Sequence, residues 1–298
     1  MRRVLAPILV GLGAFLLVAA IVLTVWAPDK VKRTPTDVDS ITYLGGQAQK
    51  INLKKGELES FPVKVASITR VDSKRSTDDV VVFSSVTCAN KDEDLTEDCL
   101  KGKDPRLVSN SEDVFATDRL TAESVEDQAR YIPSGSTPHE GLVNKWPFDS
   151  ERKTYDYWDS LLKETVEAEY VRTTTVEGLR VYVYEVTVPP TETVIAGEDT
   201  KGDYSTEKSI YVEPKTGAIV NQTQNEIRSL PDGTKVLDLQ VEFTEDQVKK
   251  SVEETEDSLS TLTLATKTGP LVGYILGGLL LIAGLVLLAL SRRDRDES

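Results

Sequence analysis

Two uncharged apolar stretches constrain this chain more than any other feature: Val4 to Trp26 near the N-terminus and Leu271 to Leu290 near the C-terminus. Each is about 20 residues long, enough to cross a ~30 Å hydrocarbon core at a helical rise of about 1.5 Å per residue. The roughly 240 residues between them are polar enough to fold in water and numerous enough to bury a core. The chain therefore divides into an N-terminal stub with a first span (1–27), an extracytoplasmic domain (28–269), a second span (270–291) and a short tail (292–298).

The first stretch has two readings, a cleaved signal peptide or a retained anchor. It is longer than the usual apolar region of a signal, and the best cleavage position, after Ala27, puts Pro28 directly behind the cut. We read it as an anchor. Arg2 and Arg3 precede the first span, and Arg292, Arg293 and Arg295 follow the second. Short arginine-rich flanks stay in the cytoplasm, so the sequence predicts a two-pass plasma-membrane protein with both termini inside. Lys30, Lys32 and Arg33 lie on the other side of the first span, but they head a long translocated domain, where charge has little influence.

The flanks hold five of the 35 basic and three of the 49 acidic side chains, leaving 30 basic against 46 acidic between the spans. Such a surface repels phosphate backbones and excludes nucleic acid as a partner. The two cysteines, Cys88 and Cys99, both fall in the exported part, where a disulfide can close the polar stretch between them. Asp92, Asp94 and Glu97 in that stretch are hard oxygen ligands, but the spacing lacks the glycine and distal glutamate of a calcium loop. No metal or other cofactor is expected.

Strand signals dominate the exported part. Phe61 to Val71 contains period-2 alternation, and Asp79 to Val86 is a β-branched run. Glu169–Val176 and Leu179–Val186 flank a tight turn at Glu177-Gly178. Lys208–Glu213 and Ala218–Gln222 flank Pro214 to Gly217; Gln224–Ser229 and Thr234–Phe243 flank Pro231-Asp232-Gly233. Consecutive hairpins predict an α+β protein with a mainly antiparallel β domain, able to curl into a barrel, anchored by a helix at each end. One amphipathic helix is expected after Thr244, whose spacing to Gln247 fits a capping box, with an apolar stripe of Val248, Val252, Thr255, Leu259 and Leu262. Gly269-Pro270 is expected to break it before the second span, and a weaker helix is expected over Ser160 to Val166. Val114 to Val125 faintly echoes Ile210 to Val220, as two β-turns of one type would without any duplication.

The search for catalytic patterns finds little. His139 is the sole histidine, so no His/Cys zinc site can be assembled, and as a lone loop histidine it reads as a surface residue. The chain has no nucleophile elbow, Walker loop or dinucleotide fingerprint. Acidic pairs are unavoidable among 46 carboxylates and single out no glycosidase site. The chain is therefore read as non-enzymatic.

The most distinctive segment runs from Gly141 to Asp159, with five aromatics between Trp146 and Trp158. Trp146, Phe148, Tyr155 and Trp158 are the candidates for contact with an acyl chain or a sugar, set against a role as anchors pinning a loop into the core, which we favour. Gly141-Leu142 with Lys145-Trp146-Pro147-Phe148 and Tyr155 to Asp159, lying between two spans, resembles the actinobacterial PorA-like membrane protein family, whose function is largely unknown. Asp118-Arg119-Leu120-Thr121 and Glu213 to Gly217 resemble that family's two turn motifs, with Ala122 where the first would carry glycine. The resemblance implies a cell-envelope role, with some members linked to lipoglycan maturation. It does not carry the porin label, because the apolar length here is spent on two helices rather than on lipid-facing strands. The layout is also similar to that of the CD36-type scavenger receptors, an analogy that does not fix function.

Three classes of function follow. The first is a non-enzymatic envelope factor that binds or passes membrane lipids or glycolipids. The second is a scaffold or accessory subunit for envelope-biosynthesis membrane proteins such as a glycosyltransferase complex. The third is a carboxylate-based enzyme acting on envelope glycans. An apolar passage through the domain, an exposed apolar patch and two close carboxylates in a cleft are their respective signatures.

Overall fold

The structure, a computed structural model, describes residues 2–52, 56–91, 96–197 and 199–296. Asp92 and Asp94, two of the three acidic residues weighed as calcium ligands, lie outside the described residues, as does the side chain of Glu97. The chain forms two compact units, residues 1–33 with 257–298, and residues 34–256.

The first unit holds α1 (Arg2–Val25), the short α2 (Ala27–Val31) and α5 (Gly269–Asp296). The apolar stretches of α1 and α5 are each long and apolar enough to cross a membrane. The two pack on each other through small residues. A Cβ on Gly13 would come within 2.6 Å of the Leu281 nitrogen, and one on Gly277 within 3.0 Å of the Gly13 carbonyl. Ala6 and Ala20 are buried, while Phe15, Ile21, Leu279 and Ile282 face outward. In lipid, association rests on such close packing, because the hydrocarbon is as apolar as the side chains. Thr24 Oγ1 and Tyr274 OH add a polar contact at 3.1 Å.

Gly269-Pro270 does not break the helix. A π-helical turn (Leu264–Thr268) joins α4 (Glu245–Thr263) to α5, and Gly269 itself has helical dihedrals. Proline lacks the N–H and crowds the carbonyl four residues back, and a widened turn accommodates both.

The second unit is one antiparallel sheet of ten strands in the order β4-β3-β2-β1-β10-β9-β8-β7-β6-β5. The strands are β1 (Asp39–Asn52), β2 (Glu57–Val71), β3 (Val80–Lys91), β4 (Leu107–Asp118), β5 (Tyr155–Asp159), β6 (Glu164–Val176), β7 (Leu179–Ala196), β8 (Thr200–Val212), β9 (Ile219–Ser229) and β10 (Lys235–Phe243), with the short helix α3 (Glu97–Leu100) between β3 and β4. Two meanders, β1–β4 and β5–β10, share the seam between β1 and β10, leaving β4 and β5 as the edges of a half-barrel. The connection from β4 to β5 joins those edges. Thr117 bridges Ser124, Glu123 bridges Leu142, and Leu142 bridges Tyr157. The Leu142 nitrogen donates to the Asp156 carbonyl, and the Trp158 nitrogen donates to that of Leu142, both at 2.8 Å. The hydrogen-bonded circuit therefore closes, and neither edge is left as an open template there.

The expected hairpins stand where the turn chemistry put them. Glu177 and Gly178 both adopt positive φ between β6 and β7, and Gly233 does so between β9 and β10. Ser160 to Val166 is not a helix: residues 160–163 form a turn and Glu164 opens β6. The Asp159 carboxylate accepts the Leu161 and Leu162 amides, which tightens the chain into a hairpin instead.

The core face of the sheet carries two large apolar clusters. Leu44, Ala48, Phe61, Val63, Val65, Leu239 and Val241 fill the β1–β2–β10 side. Trp146, Tyr155, Tyr157, Tyr184, Val186 and Ile210 fill the β5–β8 side. Helix α4 begins on the other face. The Gln247 amide donates to Thr244 Oγ1 at 3.2 Å, one half of the expected capping box. The Gln247 side chain departs from that motif: its Oε1 accepts the Tyr43 N–H at 3.1 Å, and the Thr244 N–H donates to the Tyr43 carbonyl, which fastens the helix start to β1. Its buried stripe is Gln247, Ser251, Val252 and Thr255.

Candidate ligand-binding site

The four aromatic candidates lie in or against the core. Trp146 is fully buried, Tyr155 and Trp158 are buried, and Phe148 is half-buried. Trp146 stacks on Tyr157 with centroids 5.6 Å apart and lies 5.1 Å from Tyr184. Lys145 holds this segment against the β8–β9 turn. Its Nζ donates to the Trp146 carbonyl at 3.1 Å and the Thr216 carbonyl at 2.6 Å, and it sits 3.8 Å from the Phe148 ring centroid. Burial pulls its pKa down to about 7, partly countered by the Glu213 carboxylate. Trp146 and Tyr155 thus pack in the aromatic core and Trp158 packs against His139, while half-buried Phe148 meets the Lys145 ammonium.

His139 is buried, not at the surface. Its ring lies between Phe115 and Trp158, Nε2 is 2.9 Å from Asp113 Oδ2, and Nδ1 is 2.9 Å from the Thr137 carbonyl. It ties the β4–β5 connection to both edge strands. A single histidine amid loop residues carries no periodic signal of burial, which is why sequence reasoning misplaced it.

Asp159 is likewise a structural group. Besides two amides, it accepts Tyr204 OH at 2.8 Å and faces Lys208 Nζ at 3.4 Å. Burial raises the pKa of Asp159, but Lys208 and the donors around it outweigh that and leave it lowered. Burial correspondingly lowers Lys208, and Tyr157, Asp159 and Glu226 outweigh it and leave it raised. Each group thus fixes the charge of the other.

Cys88 and Cys99 form a disulfide, with Cα atoms 5.9 Å apart. Both cysteines are buried. The loop after Cys99 is ordered by Asp104, whose carboxylate accepts from Asn90, Thr96 and Arg106. These bonds, that of Arg106 foremost, hold Asp104 well below the usual carboxylate range.

Beside this disulfide lies a cavity of about 490 Å³. Its floor is two cross-strand rows on the face opposite the aromatic core, Cys88–Ala66–Tyr43 and Asn90–Lys64–Gly45. Its far wall is the start of α4, at Thr244, Asp246, Gln247 and Lys250. The floor is mostly apolar, with Ala66 and the disulfide buried and Tyr43 43% exposed. Lys64 and Lys250 are exposed at its rim beside Asp246, and Lys250 Nζ lies 3.8 Å from Glu254 Oε1 on the next turn of α4. None of the four aromatic candidates lines it. The sequence hid this site because its walls come from strands and a helix that are far apart in the chain, Tyr43 and Gln247 being 204 positions apart, and are joined only by the fold.

These features define a class: a β domain carried between two helices that can cross a membrane, with an amphiphilic cavity under its C-terminal helix. The chain belongs to the Porin PorA family, which it matches over residues 5–286, and it is accordingly a membrane protein. Porin PorA of Corynebacterium amycolatum is 25% identical to it over 227 residues, covering 64% of this chain and 58% of that relative. The match thus spans little more than half the relative's length.

Proposed function

We propose that this chain is a non-enzymatic cell-envelope protein of the plasma membrane whose extracytoplasmic domain binds a membrane lipid or glycolipid and so supports envelope or lipoglycan maturation. The observation that carries this reading is the cavity beside α4, which joins a mostly apolar floor to a rim bearing the charged groups of Lys64, Asp246 and Lys250. Its occupant is the acyl end of a phosphate-bearing lipid. The floor suits the chain, at about 0.8 kcal/mol per buried CH₂, and Lys64 with Lys250 suits the phosphate. The relative's name offers a pore instead. The core face of this half-barrel is filled by bulky side chains such as Trp146, Tyr184 and Phe61, which favours a binding domain over a conduit through it.

Lipid extraction and mass spectrometry of the purified full chain test this. A phosphate-bearing lipid is expected at near-stoichiometric amount, falling about tenfold in Ala66→Phe, a loss worth about 1.4 kcal/mol. Equal lipid in wild type and Ala66→Phe, with both folded by circular dichroism, overturns it.

A further inference from the structure

The same face of the sheet holds a second depression. A trough of about 720 Å³ crosses β1, β10, β9, β8 and β7, and Gly45 lines both it and the cavity beside α4. The row Asn90–Lys64–Gly45 continues across it through Glu242, Thr223 and Ser209 to Glu185. A parallel row runs through Gln47, Gln240, Asn225, Glu207 and Thr187. Lys208 contributes from beneath, its ammonium turned to Asp159 on the core face.

Side chains on these rows are amides, hydroxyls and carboxylates. The trough offers acceptors and donors close together, the pattern that vicinal sugar hydroxyls match because each both donates and accepts. Three glutamates disfavour a phosphate or carboxylate here. No group of acidic, histidine or cysteine side chains that could hold a metal ion occurs among the described residues, which disfavours a cation. In the middle of the second row, the buried Oδ1 of Asn225 has no hydrogen-bond partner. The volume lies within the range of ligand pockets, about 300–1,000 Å³.

We infer that the trough is a saccharide subsite continuous at Gly45 with the lipid cavity, so that the ligand is a lipid bearing a sugar head group. This rests on the cavity reading above and adds the head group to it. Gly45 is the natural junction. A Cβ there would meet only Thr244 Cγ2, at 3.7 Å, an ordinary contact, and a larger side chain would stand between the two depressions.

The test is binding of two probes with one chain length, dodecyl phosphate and dodecyl maltoside, to the full chain in amphipol. Dodecyl phosphate should bind the Gln240→Ala/Glu242→Ala double variant at least as tightly as wild type, since a carboxylate near the phosphate is removed, and lose affinity in Ala66→Phe. Dodecyl maltoside should lose affinity in Ala66→Phe, and about tenfold in the double variant, which removes two hydrogen-bonding groups that are exposed in the fold. Gly45→Leu should weaken dodecyl maltoside more than dodecyl phosphate. If dodecyl maltoside binds the double variant and Gly45→Leu as it binds wild type, the saccharide subsite is overturned and the cavity stands. If Ala66→Phe leaves both probes unaffected, the cavity reading falls and takes the subsite with it.

Discussion

Three turns in this domain are the same object at the level of single residues. At Asp118, Asp159 and Glu213 the acidic side chain accepts the amides two and three residues on, and the backbone carbonyl accepts the amide four residues on. The residue at that fourth position has positive φ each time: Ala122 at 61°, Lys163 at 58° and Gly217 at 72°. The echo between residues 114–125 and 210–220 is thus a shared turn chemistry, and the third copy escaped notice because apolar Leu161-Leu162 inside it read as a helix. The left-handed conformation costs a side-chain-bearing residue about 1–2 kcal/mol. Lys163→Gly, at an exposed site, should therefore stabilise the domain by about 0.5–1 kcal/mol in chemical denaturation. Gly217→Ala should cost about 2 kcal/mol or more, since its Cβ would lie 2.0 Å from the Trp146 carbonyl oxygen. Lys145 gives a pH signature. Its pKa falls from 10.5 unfolded to about 7 folded, so between those values the unfolded chain binds more protons and stability rises with pH. The stability difference between wild type and Lys145→Met should shift in favour of wild type from pH 7 toward pH 10, and a flat difference would contradict the buried placement.

Elements were legible wherever local chemistry repeated. The β2, β3, β6, β7 and β10 signals came from alternation or β-branched runs, and the turns at Glu177-Gly178 and Pro231 to Gly233 named two hairpins. Strand β1 was not, because Gly45-Gly46 and the polar Gln47, Gln49 and Lys50 interrupt the short β-favouring run Ile41 to Leu44. Gly46 is required by the close approach of β10, whose Gln240 carbonyl a Cβ would overlap. The circuit from β4 to β5 was beyond local reading as well, since single bridges at Leu142 leave no periodic trace. Leu142→Asp should open that circuit, and hydrogen exchange should then rise first at the Leu142 and Trp158 amides. The disulfide closes an 11-residue separation, so the Cys88→Ala/Cys99→Ala pair should lose about 2–3 kcal/mol. Thiol labelling of the denatured, unreduced wild type should find no free cysteine.

For the whole molecule, the two apolar helices and the β domain were read directly from hydropathy and turn spacing. The candidate cavity was not, because it forms from residues with no motif of their own, whereas the aromatic cluster of Trp146, Tyr155 and Tyr157 packs in the core. The arginine flanks predict that reporters fused to either end are cytoplasmic and that a tag at Lys103 is reachable from outside. A C-terminal reporter active only outside would reverse the topology and place the cavity on the cytoplasmic side. The most direct test of the central claim is photo-crosslinking of the full chain in membranes with a phospholipid carrying a diazirine on its acyl chain, followed by peptide mapping. Crosslinks are predicted in the peptides holding Tyr43 to Ala66 and Thr244 to Lys250, and their loss in Ala66→Phe. Crosslinks confined to α1 and α5, with none in those peptides, would contradict a lipid site in the β domain.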